Sequence, residues 1–163
     1  MTRQHGFTLV ELFLTIALVA IVAGFAVPAI HDTILNSRLQ NATGKVFDLF
    51  TEAKSLAVKE NQGVYLSSGT EPGGSVCIGY NVGAPCACET AGSCQKVISD
   101  SEFPNIQYEH TAGFLTTPAF TPEGWVVNYW VVKIYAWRDA AATDLYKQNR
   151  VRVYKTGLIL WND

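Results

Sequence analysis

One carboxylate inside a long apolar run constrains this 163-residue chain more than anything else in it. Met1 to Gly6 is a short leader that carries Arg3 and the α-amino group and no acid. Phe7 to Ile30 follows at once, apolar throughout its first half except for Glu11. An ionisable side chain in such a stretch is expensive in hydrocarbon and reads as functional. Those 24 residues make a helix roughly 36 Å long at about 1.5 Å per residue, enough for a hydrocarbon core of about 30 Å. The basic leader predicts a cytoplasmic N-terminus, with the rest of the chain outside. A cleaved secretory signal would show a longer basic region and a small-x-small site after the apolar core. Phe25-Ala26-Val27-Pro28-Ala29 is a poor site of that kind.

Gly6-Phe7-Thr8-Leu9-Val10-Glu11 resembles the processing motif of type IV prepilins and type II secretion pseudopilins. The resemblance implies cleavage by a prepilin peptidase between Gly6 and Phe7, N-methylation of Phe7, and an assembly role for Glu11. The physical logic is direct. Cleavage leaves an amine on Phe7 near the Glu11 carboxylate, both in a layer of low dielectric where each needs an opposite charge. In a filament the Glu11 carboxylate of one subunit can meet the Phe7 amine of the next and so reward one axial register. Gly24 and Pro28 lie further along the span. Proline kinks or melts a helix by removing a donor, and family members often carry one here; plain tolerance in a membrane helix is the alternative reading.

The helix is expected to continue past the membrane. Leu35, Leu39, Ala42, Val46, Leu49, Ala53 and Leu56 recur at steps of four and three, one stripe to be laid on a globular head. Gly44 sits inside it, at about 1 kcal/mol against alanine. Asn61-Gln62-Gly63 reads as the stop, with Gly63 the candidate left-handed cap. Strands are expected at Val64–Leu66, Ser75–Tyr80, Phe103–Tyr108, Trp125–Trp137, Leu145–Tyr154 and Leu158–Trp161, from β-branched and aromatic content and alternation. The reading is therefore α+β: a long N-terminal helix, membrane span plus amphipathic half, packed on a small antiparallel β-sheet head. Its segments are a leader (1–6), a transmembrane and filament-core helix (7–30), and a periplasmic head (31–163) that is helical to about 62 and β-rich beyond.

Phe120-Thr121-Pro122-Glu123-Gly124 before a strand, and a terminal strand–turn–strand around Lys155-Thr156-Gly157, resemble the minor pilins of the FimU and FimT type and the pseudopilin GspH. The resemblance implies two small sheets in the head.

Cys77, Cys86, Cys88 and Cys94 all fall in the external part, where an even number in a short window reads as disulfides. A bridge between Cys86 and Cys88 would close too tight a ring. That leaves two favoured pairings, 77–86 with 88–94 or 77–88 with 86–94. The spacing is not the paired C-x2-C of structural zinc, so no metal is expected. The segment between is rich in glycine, alanine and serine, and bridges would hold it where packing does not. His31 and His110 have no partner set for a nucleophile and base. No phosphate loop or metalloprotease motif occurs. No enzyme activity and no cofactor is expected.

From Lys133 to Lys155 there are six basic residues (Lys133, Arg138, Lys147, Arg150, Arg152, Lys155) against Asp139 and Asp144, a local +4. FimT-like relatives bind DNA through basic residues near the C-terminus, which makes Lys147, Arg150, Arg152 and Lys155 candidate phosphate contacts. Against this, loss of Arg3 leaves 11 basic and 14 acidic residues, a net −3. Gly157-Leu158-Ile159 also stands where the glycine-arginine-rich turn of those relatives is expected. The expectation is a minor type IV pilin, inserted in the bacterial inner membrane with its head in the periplasm and then carried to the pilus at the cell surface. The alternatives are a DNA-binding minor pilin and a type II secretion pseudopilin. The partners implied are other minor and major pilins, the prepilin peptidase and the inner-membrane assembly platform.

Overall fold

The computed structural model describes residues 8–110, 119–127 and 130–162, and within these the side chains of 24–29 and 110 lie outside the description. Helix α1, Leu9–Glu60, runs without interruption through Gly24 and Pro28. The chain divides into two compact units, Met1–Ile34 and Leu35–Asp163, and α1 contributes to both.

In the second unit the predicted helical stripe is the buried one. Leu35, Leu39, Ala42, Val46, Leu49 and Ala53 are fully buried, and Ala57 and Phe50 join them. Leu56 is only partly covered. Full burial of one such leucine is worth about 1.5–3 kcal/mol, so this stripe is what holds the second half of α1 to the head. The helix ends in a Schellman motif. Gln62 N–H donates to Ala57 O at 3.2 Å and Asn61 N–H to Val58 O at 3.4 Å. The left-handed residue is Asn61, at φ 52°, and not Gly63 as expected. Asparagine tolerates that region because its short polar side chain compensates locally. Gly63 has a different task, its carbonyl accepting from Gly83 N–H at 2.8 Å.

Among the described residues seven strands form two antiparallel sheets, each in chain order. The first holds β1 (Val64–Thr70), β2 (Val76–Val82) and β3 (Lys96–Ser99); the second holds β4 (Ile106–His110), β5 (Trp130–Trp137), β6 (Leu145–Val153) and β7 (Ile159–Asn162). The strand expected at 125–137 is shorter, because Val126 makes only an isolated bridge to Phe120. β3 was not anticipated: four residues beside a cysteine-rich loop are too few to show a period. β5 alternates strictly. Trp130, Val132, Ile134 and Ala136 point into the core, and Val131, Lys133, Tyr135 and Trp137 point out.

β2 breaks alternation, with Cys77, Ile78, Gly79 and Tyr80 all buried. Ile78 and Tyr80 belong to the core. Cys77 and Gly79 are covered from the other side by the loop between β2 and β3. Disulfides Cys77–Cys88 and Cys86–Cys94 hold that loop, the second of the two pairings left open by the sequence. A Cβ at Gly79 would lie 2.8 Å from Lys96 O and 3.1 Å from Cys94 Sγ. Glycine is therefore the residue that lets the stapled loop and β3 sit this close.

Polar contacts tie helix to sheets. Glu52 accepts from Tyr80 O–H at 2.9 Å and pairs with Lys96. The Lys96 ammonium, then Tyr80, hold its carboxyl below the ordinary range, while burial first and Glu52 second push Tyr80 up to about 12. Asn149 Nδ2 donates to Thr43 Oγ1 at 3.2 Å inside the core.

Candidate functional site

The first unit presents a polar device at the start of α1. Thr8 precedes the first helical residue, and its Oγ1 accepts from Glu11 N–H at 3.2 Å. The Glu11 carboxylate reaches back to Thr8 N–H and Thr8 O–H, both at 3.2 Å. This is a capping box, each residue satisfying an orphan donor of the other. It also places an anion at the positive end of the helix. Both members lie beyond the Gly6–Phe7 bond, so removal of residues 1–6 would leave the box intact. The T-x-x-E spacing that announces such a box is present in the sequence. Gly6 and Phe7 lie outside the described residues.

Around this carboxylate the helix is apolar on every side and covered on none. Leu9, Val10, Phe13, Val19 and Val22 are each more than 60% exposed, and consecutive positions such as 9 and 10 face different directions on a helix. An all-round apolar helix belongs in lipid or in the core of an assembly. Among the described residues no helix is long and apolar enough to cross a membrane. The described apolar side chains here, 8–23, are fewer than the ~20 a span requires.

In the head, the structure separates the four basic candidates. Arg150 and Arg152 stand two apart on the outward face of β6, since Asn149, Val151 and Val153 are buried beneath. Lys147 is paired in register with the buried Ala136, so it has the opposite parity. Lys155 lies in the turn after β6, its carbonyl accepting from Val126 N–H at 3.1 Å. Lys133 stands directly across from Arg150, but it is neutralised by Glu109, whose two carboxylate oxygens each accept from its ammonium at 3.2 Å. That contact holds the Lys133 ammonium above its ordinary range.

Sequence reasoning missed Asp100. It opens a short 3₁₀ turn, Asp100–Glu102, and its two carboxylate oxygens accept from Val76 N–H at 3.0 Å and Tyr108 N–H at 3.1 Å. One acceptor is thus given to each sheet. Burial raises its carboxyl above the ordinary value despite these bonds. No local motif announces such a residue, because its partners are 24 and 8 positions away in opposite directions. Among the described residues the one cluster with metal-ligand spacing is Cys77, Cys88 and Glu89, and its two sulfurs are bonded to each other.

Comparison with known proteins agrees with this geometry. Residues 1–27 match the prokaryotic N-terminal methylation motif. A fimbrial protein of Pseudomonas aeruginosa is 28% identical over 113 residues, 69% of this chain and 71% of that one. One of Neisseria meningitidis serogroup B is 37% identical over 78 residues, 48% of this chain and 41% of that one. The crystal structure of the P. aeruginosa type IV minor pilin FimU superposes with a TM-score of 0.51 at 15% identity, over 78% of this chain and 90% of that one. A prepilin methylation motif thus leads into a long helix laid on antiparallel sheets, and in motif, sequence and fold the chain is similar to type IV pilins.

Proposed function

We propose that this chain is a minor type IV pilin, a structural subunit that primes or joins pilus assembly. The observation that carries the assembly role is the N-terminal helix, apolar all round, uncovered, and bearing a single carboxylate at its start. Such a helix suits both the inner membrane and the core of a filament. In this reading a prepilin peptidase cuts between Gly6 and Phe7, and Phe7 is methylated. The Phe7–Ile30 span anchors the chain in the inner membrane with the head in the periplasm, where disulfides persist. Glu11 leaves its own Thr8 for the Phe7 amine of a neighbour as the assembly platform lifts the subunit out. Gly24 and Pro28 let the helix adjust between lipid and filament. The minor rather than the main subunit is favoured by the likeness to FimU, described as a type IV minor pilin.

A type II secretion pseudopilin would share every N-terminal feature. The DNA-uptake reading rests on Arg150 and Arg152, because Lys147 and Lys155 do not share their face. The test is a count of sheared surface pili in a strain deleted for the gene, with complementation. Loss of pili restored by the wild-type gene supports a priming subunit; normal piliation overturns it and moves the reading to secretion or DNA uptake.

A further inference from the structure

The outward face of the second sheet carries an arrangement that the proposed function does not draw on. Tyr135 and Trp137 stack there, ring centroids 6.0 Å apart. Gln148 stands directly across from Tyr135 on β6, and Arg150 and Arg152 continue the same row. Gln148, Arg150, Arg152 and Asn162 of β7 wall a groove of about 230 Å³ with no apolar side chain in it. Among the described residues the two guanidinium groups make no ion pair, and Gln148 Nε2 is shielded from solvent without a partner.

We propose that this face binds an acidic polysaccharide, reading the carboxylates of its uronate residues. Each element matches one part of such a ligand. A planar guanidinium takes a carboxylate through two parallel N–H donors. A carboxamide offers a donor and an acceptor, the pair that sugar hydroxyls require. Tyr135 lies diagonal to Arg150, about 7–8 Å away at the spacing of a sheet, and with Trp137 stacked beyond it offers an apolar platform for the C–H face of a sugar ring. Arg150 and Arg152 are about 7 Å apart along the strand. They therefore meet carboxylates on separate residues of a chain rather than one small anion.

Nucleic acid suits the face less well. Backbone binding draws its affinity from several neutralised phosphates, and here only two cations are uncommitted. The inference stands whether or not the subunit primes pili, since it concerns only the head.

The test is titration of the full chain in detergent micelles with an octamer of galacturonate, followed by tryptophan fluorescence at physiological salt. The methyl ester of the same octamer and a single-stranded oligonucleotide of equal charge serve as comparisons. The expected result is saturable binding of the acid form. Binding should weaken at least about tenfold for the ester, and as much for the double variant R150Q/R152Q, because the charge-assisted bonds are lost in both. Near-UV circular dichroism of that variant should match the wild type. Absence of galacturonate binding, equal binding of the ester, or unchanged binding by the folded variant overturns the proposal. So does tighter binding of the oligonucleotide than of the octamer, which would make the face a nucleic-acid surface.

Discussion

Gly79→Ala should destabilise the head by about 1–2 kcal/mol, because β3 and the stapled loop both lie close over this position. A Cβ at this position meets Lys96 O at 2.8 Å, Cys94 Sγ at 3.1 Å and Val97 Cγ2 at 3.1 Å. The first is a backbone carbonyl of β3, held by pairing with β2, and it has nowhere to swing. Overpacking of this kind costs about 1–3 kcal/mol. Alanine restricts the unfolded chain and returns up to about 1 kcal/mol, which leaves the net figure. Two other glycines provide the contrast. Gly44 has nothing within 4 Å of a built Cβ, so Gly44→Ala should stabilise the helix by about 1 kcal/mol. At Gly69 the obstruction is the Glu89 carboxylate, the exposed end of a flexible side chain, and Gly69→Ala should be close to neutral. The assay is urea unfolding of the full chain in micelles, read by fluorescence of its four tryptophans. A neutral or stabilising Gly79→Ala would refute the account, because the loop and β3 would then not lie over β2 as described.

Three further outcomes are expected. Glu11→Ala should insert and be processed normally but enter sheared pili poorly; full incorporation, read by immunoblot, would remove the register argument. Asp100→Ala strips the partner from Val76 N–H and Tyr108 N–H and should lower stability by about 1–3 kcal/mol. Because burial holds the Asp100 carboxyl above its ordinary 3.8, the unfolded chain releases this proton first as pH rises. Its contribution therefore falls from about pH 4 upward through the folded pKa and is absent in the alanine variant, which urea midpoints across that range would reveal. Reduction of Cys77–Cys88 and Cys86–Cys94 should remove about 2–4 kcal/mol per bridge and release the Cys94 Sγ contact at Gly79, so that Gly79→Ala becomes less harmful under reducing conditions, though not neutral while Lys96 O stays in place.

Whatever depends on neighbours along the chain could be read before any fold was known. The basic start, the apolar run and Glu11 are contiguous, and the cost of a carboxylate in such a run follows from transfer free energies that need no fold. The stripe from Leu35 to Ala53 was legible because helical periodicity is a local property and the second sheet's strands because alternation is. Even the misread cap was a local question, in which Asn61 competed with Gly63 for one left-handed position.

Only the tertiary structure decided which cysteines meet, since both open pairings fit the spacing and the choice is made by how the loop lies across Gly69 and Gly79. It also decided the role of Asp100, whose two acceptors serve strands that no local pattern joins. The basic segment near the C-terminus shows the same division. Counting charges from Lys133 to Lys155 treats them as one group. Strand parity then puts Arg150 and Arg152 on the outer face, Lys147 on the other parity and Lys155 in a turn, while Glu109 from a distant strand neutralises Lys133. Charge is a property of the sequence, but which charges share a surface is fixed by register, and register is set by the buried face the sheet must keep.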